Sequence, residues 1–189
     1  MRSTAANAEL ALLLEVTGTP KPGNVDRHHE YEDLRFEHFV TGAVGARPGL
    51  EQAADPSVPL GEAFETAIEG MAQQSGGNTQ FGAILLLSPL VRAAAAGGLD
   101  SESARAVVDA TTVEDTIAFY RAFEHVDVAV DDPPPGMEPL DVRRGSDAAP
   151  AIEERDLTWA GLMADSADVD GVAVGHRVVA DCVAHVRRD

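Results

Sequence analysis

Residues 82–96 read GAILLLSPLVRAAAA, and the reading of this stretch decides the fold. It is apolar nearly all round, interrupted only by Ser88, Pro89 and Arg92. A segment that is apolar on every side is a helix buried at the centre of a domain, and Pro89 marks a place where a kink is expected. The run stops well short of the roughly 18–20 residues a membrane span needs, which excludes a transmembrane role.

On its N-terminal side lies SGGNTQFG (residues 75–82), a glycine-rich loop. Before that, residues 61–71 place Phe64, Ala67, Ile68 and Met71 on one helical face. Residues 47–59 hold Pro48, Gly49, Pro56 and Pro59 and read as a connection. Residues 33–44 repeat Leu34, Phe36, Phe39, Val40 and Val44 at near-helical spacing. Residues 6–16 form a first helix that Gly18 and Pro20 close, and TPKPGNVD (residues 19–26) follows as a two-proline loop. Downstream, Asp100 or Ser101 caps a helix containing Val107 and Val108. Residues 113–125 form another, with Ile117, Phe119, Tyr120 and Phe123. DDPPPGMEP (residues 131–139) is a rigid linker, and residues 147–188 are helix-like with weaker patterning. There is no internal repeat, and few segments alternate with period two. The expected fold is all-α: a single-domain multi-helix bundle over residues 1–189 with a central buried apolar helix.

The charge balance narrows the function classes. Fourteen basic residues stand against 32 acidic ones, for a formal net charge of -18. Thirteen of the basic residues are Arg, and Lys21 is the single lysine. The acids, 17 Asp and 15 Glu, are spread over the whole chain. A general acidic coat almost without Lys fits molar salt, where the Debye length falls to about 3 Å and self-repulsion is screened. No block of like charge is long enough for a tail that docks on a basic partner. Binding to duplex nucleic acid is excluded for want of a basic face. The N-terminus has no basic start followed by an apolar stretch, so no signal peptide is indicated and a cytoplasmic protein is expected. A lone Cys182 excludes an intrachain disulfide and a cysteine-based zinc site.

Two loops carry candidate chemistry. In the first, prolines on both sides of Lys21 restrict the backbone and aim a cation in a fixed direction. An ammonium there suits a phosphate, and Asp26 offers oxygens to Mg²⁺. A helix-ending proline loop with ordinary surface charges accounts for the same residues. In the second, a Gly-Gly turn before a helix N-terminus makes an anion site from free backbone N–H groups and the helix dipole, with Asn78 or Thr79 as cap or ligand contact. Such a turn is also commonly structural, and it lacks the spacing of a Walker A motif. His28, His29 and His38 lie near acids without a zinc spacing, so no tight transition-metal site is expected. DVRRGSD (residues 141–147) reads first as a salt-linked loop. Asp165, Asp168 and Asp170 read first as solvated acids.

Together, TPKPGNVD and SGGNTQFG, about 50 residues apart with an apolar helix after the second, resemble the triphosphoribosyl-dephospho-CoA synthase (CitG-type) family, and its archaeal-like branch in particular. DRHHEYEDLRFEHF and EPLDVRRGSDAAPAIEERDLT carry the resemblance further, over roughly residues 9–170. It implies an all-α transferase that joins ATP to 3′-dephospho-CoA or a related acceptor and releases adenine, with ATP as substrate and Mg²⁺ as cofactor. The acceptor hydroxyl would attack C1′ of the ATP ribose through an oxocarbenium-like transition state. Lys21, Asn24, Arg27, Gly76, Gly77, Asn78 and Thr79 would bind the nucleotide phosphates. Lys21 and Asp26 would be the catalytic pair, with Asp26 holding Mg²⁺ or acting as base. Gln80-Phe81 stands where bacterial members carry His-Lys, and Gly175 where archaeal relatives tend to carry an acid. The resemblance also implies that the C-terminal part of the family domain is missing, with a homo-oligomer as one way to cover the core. Two other readings stand beside it: a non-catalytic nucleotide- or CoA-binding helical protein, and a degenerate member with no ligand.

Overall fold

The computed structural model describes residues 1–166. Asp168, Asp170, Gly175 and Cys182 lie outside them. Nine α-helices follow one another with no strand among the described residues: α1 (Thr4–Thr17), α2 (Phe36–Gly45), α3 (Arg47–Ala53), α4 (Leu60–Met71), α5 (Phe81–Ala95), α6 (Ser101–Asp109), α7 (Val113–Arg121), α8 (Ala149–Glu154) and α9 (Trp159–Ser166). Short 3-10 turns at Ala122–Glu124, Glu138–Leu140 and Val142–Ala148 join α7 to α8. No helix among the described residues is long and apolar enough to cross a membrane.

Local chemistry starts several helices where the sequence indicates. Ser3 caps α1 by accepting from the Ala6 N–H at 3.2 Å. The Asp100 carboxylate caps α6 by accepting from Ser103 N–H at 2.8 Å. Thr112 and Asp115 cap α7 reciprocally. The apolar helix, α5, runs through Pro89 without ending there, and Ser88 donates its hydroxyl to Ile84 O at 2.8 Å.

The connection expected over residues 47–59 is in part a helix. Pro48 sits in the first turn of α3, where a missing N–H costs no hydrogen bond. Gly49 then lets α3 lie against α4, because a Cβ there would strike the backbone of Ala67. Both residues look like breakers in sequence and act as a helix start and a packing notch in space.

The centre is shared by α5 and α4. Helix α4 packs on α2, α3, α5 and α7, and buries Leu60, Ala63, Phe64, Ala67, Ile68 and Met71. Six of the chain's nine aromatic residues meet around it. Phe64 lies 5.3 Å from Phe81 edge-on, 5.8 Å from Phe119 in a stack and 5.4 Å from Trp159. Phe123 and Tyr120 complete the cluster through Phe119. Phe81 is the first residue of α5, so this core fixes the helix that follows the glycine-rich loop.

Candidate functional site

The first loop is organised by Asp26. Its side chain is fully buried. The His28 and His29 backbone N–H groups donate to Oδ1 at 2.7 and 3.0 Å. The Thr19 hydroxyl and the Lys21 N–H donate to Oδ2, both at 3.0 Å. These four donors fill both oxygens of a carboxylate. The His28 amide foremost, with Lys21, Thr19 and His29, holds the carboxyl well below its usual range against the opposing effect of burial. Val25 anchors the loop from below, packed with Val16 and Phe39. The Thr19–Pro20 peptide bond is cis.

Because the folded pKa of Asp26 is lowered, its contribution to stability is complete above the unfolded carboxyl pKa of about 3.9 and is lost as pH falls below it. Asp26→Asn should therefore lower the urea midpoint at pH 7, since an Asn NH₂ would face two of the four donors. It should also flatten the loss of stability between pH 5 and pH 3. Urea titrations of both proteins across that range check the sign.

Lys21 is held on α1. Its ammonium lies 2.5 Å from Glu15 Oε1 and donates to Glu15 O at 3.4 Å. Asn24 and Arg27 are exposed beside it, and Asn24 Oδ1 accepts from Val25 N–H at 2.8 Å.

The second loop is wound around Gln74. Its Oε1 accepts from Gly76 N–H at 2.6 Å, and its Nε2 donates to Gly77 O at 2.7 Å and to Met71 O at 3.1 Å. Gly77 adopts φ +68°, a conformation that favours glycine. Asn78 Oδ1 accepts from Phe81 N–H at 3.1 Å and caps α5. The N–H groups of Gly77, Asn78, Thr79, Gly82 and Ala83 have no hydrogen-bond partner among the described residues. A row of free N–H groups at the start of a long helix is an arrangement that attracts anions.

The two loops converge on the same two helices. Gln80 is buried, and its Nε2 donates to Leu12 O of α1 at 3.0 Å. Leu12 and Glu15, the anchor of Lys21, are one turn apart on α1, about 4.5 Å along its axis. At the other side the glycine turn rests on the first turn of α2. His38 Nδ1 accepts from Arg35 N–H at 3.2 Å, and its Nε2 lies 3.3 Å from Ser75 Oγ. A Cβ on Gly76 would strike the His38 ring. Since Nδ1 is the acceptor, the ring hydrogen sits on Nε2 and points at Ser75.

Gln80 and His38 are the residues that sequence reasoning undervalued. In the sequence Gln80 is only half of the Gln80-Phe81 pair that stands where bacterial members carry His-Lys, and His38 is one of three histidines among acids. In the structure each ties the second loop to a helix beside the first. Thr79 Oγ1 and Gln80 Oε1 are buried without a hydrogen-bond partner among the described residues.

Other sequence candidates lie elsewhere. Arg143 is clasped by Asp141 and Asp132 at 2.6 and 2.9 Å, which makes residues 141–147 a salt-linked loop. Asp165 is exposed on α9. Mg²⁺ at Asp26 does not fit this arrangement, because both oxygens are already filled. Among the described residues no group of three or more His, Cys, Asp or Glu is placed to hold a metal ion.

Comparison with known proteins agrees with the family resemblance carried by the two loops. No curated protein and no solved structure matches the chain. The family described as CitG, ATP:dephospho-CoA triphosphoribosyl transferase, matches residues 1–176 and so covers α1–α9 and both loops. The chain belongs to the CitG family of ATP:dephospho-CoA triphosphoribosyl transferases.

Proposed function

We propose that ATP binds where the two loops meet α1 and α2. Its triphosphate would lie on Lys21, Asn24 and Arg27 from one side, and on the Gly76-Gly77-Asn78-Thr79 turn from the other. The observation that carries this reading is the anchoring of Lys21 and Gln80 one turn apart on α1. That spacing on one helix would let a cation and a row of free N–H groups serve one polyphosphate. The Lys21–Glu15 pair does not oppose it. Glu15 is about half exposed, and such a pair is worth about 0–1 kcal/mol, less than a polyphosphate gains from the same ammonium.

In the reaction, the acceptor hydroxyl oxygen bonds to C1′ of the nucleotide ribose. The C1′–N9 bond breaks, its electron pair stays on the departing base, and that base takes up a proton in exchange for the one the hydroxyl loses and leaves as neutral adenine. Lys21 and the glycine turn hold the triphosphate so that C1′ is presented to the acceptor. Asp26 acts here by shaping the loop. A base working near neutral pH needs a pKa close to it, and four donors keep Asp26 far below.

The acidic, lysine-poor composition favours work inside the cell at high salt. Purified protein in high KCl with Mg-ATP and dephospho-CoA should release adenine in amounts equal to the dephospho-CoA modified, as read by chromatography. Absence of adenine beside an active bacterial enzyme would remove the assignment of dephospho-CoA as the acceptor.

A further inference from the structure

The opposite end of α5 carries a concave feature. Arg92 lies eleven residues beyond Phe81, about 16 Å along the helix axis. It opens on a cleft of about 720 Å³ between the C-terminal end of α5, helix α6 and the starts of α4 and α7. That volume is in the range of small-molecule sites. The walls are largely apolar, with Val58, Leu60, Ala106 and Val107 among them.

The charges of the cleft are already engaged. Arg92 donates from Nε to Ala53 O at 2.6 Å and from Nη2 to Val58 O at 2.7 Å. Asp115 accepts from Gly61 N–H at 2.7 Å, and from Thr112 N–H and its hydroxyl at 2.9 and 3.2 Å. Glu114 adds a second carboxylate. One guanidinium against two carboxylates leaves the lining negative, so a phosphate is disfavoured there. The space suits a neutral, flexible chain of methylenes and amides.

We propose that this cleft receives the neutral pantetheine arm of dephospho-CoA, so that α5 separates a polyanion site at its start from an apolar site at its end. The proposal rests on the placement of the reacting riboses at the two loops. The reach agrees: two phosphates and the pantoyl, β-alanyl and cysteaminyl units amount to roughly five residue lengths, ~17 Å extended. Charge sorts the two ends of the acceptor, the diphosphate toward the start of α5 and the uncharged arm toward Val107.

Val107→Trp puts a bulky ring into the cleft. It should raise the KM for dephospho-CoA at least about ten-fold while the KM for ATP stays within about two-fold, since losing one apolar contact is worth a factor of roughly 10–200. Ala106→Leu is a milder variant, with a smaller shift in the same direction. Circular dichroism melts of both confirm folding. Turnover is not needed for the second arm, in which pantetheine, which has no phosphate, is titrated into the full chain by calorimetry. It should bind the native protein and bind Val107→Trp at least about ten-fold more weakly. A folded Val107→Trp with an unchanged KM for dephospho-CoA overturns the proposal, and so does pantetheine that fails to bind or binds both proteins alike. Failure of the two-loop reading would appear differently, as wild-type protein that binds pantetheine yet releases no adenine.

Discussion

Lys21→Ala should lower kcat/KM for adenine release by about 10²-fold while leaving the fold intact. A charge-assisted hydrogen bond to phosphate contributes about 1.5–3 kcal/mol, a factor of roughly 10–150. No other lysine exists in the chain to substitute for it. Stability without nucleotide should change by less than about 1 kcal/mol, because all that is lost is a partly exposed pair with Glu15. The difference should appear on adding nucleotide. At a hundred times its Kd, ATP stabilises the native protein by about 2.7 kcal/mol, and the variant should lose most of that gain at the same concentration. Lys21→Arg should recover part of the activity, since the charge returns with altered geometry. Unchanged adenine release by Lys21→Ala would sink the reading of this loop as a phosphate site. Unchanged melting in ATP for both proteins would point to a chain that binds no nucleotide.

The second large effect falls on stability. Phe64→Ala should destabilise the protein by about 3–5 kcal/mol, a sizeable share of the 5–15 kcal/mol typical of a domain. Phe64 is fully buried and is touched by Phe81, Phe119 and Trp159. The hole left behind borders four helices that cannot all move inward at once. Loss of the edge contact with Phe81 also loosens the first turn of α5, whose N–H groups face the proposed anion site. Activity should therefore fall even where the variant remains folded. Phe36→Ala offers the contrast: this half-buried ring packs in the smaller cluster with Val16 and Val25 and should cost far less. Urea midpoints in the same KCl concentration measure both, and near-equal midpoints would contradict the central place given to Phe64.

Much of the fold was legible because its determinants are local. The apolar run at residues 82–96 marked a buried helix, and Asp100 marked a helix start through its own side chain. The 47–59 stretch misled for a local reason too. Proline and glycine read as breakers, yet Pro48 at a first turn and Gly49 against Ala67 are compatible with a helix once α4 lies alongside. The loops themselves were legible from their residue types, and the paired motifs pointed to the family that matches residues 1–176. The role of Asp26 was not. A carboxylate in a loop presents the same letter whether it faces a metal or four donors, and only the path of residues 19–29 shows which.

The one-dimensional order of residues thus determined an all-helical chain, its acidic, lysine-poor charge and the two motifs of its family, because periodicity, turn chemistry and composition act over a few neighbours. Tertiary structure alone decided that Gln80 reaches Leu12 across 68 positions, that Ser75 meets His38 across 37 and that the apolar cleft opens at the far end of α5. Those outcomes depend on how close whole helices approach one another. That is set by the summed packing of faces such as α4 against four neighbours, which no short window of sequence contains.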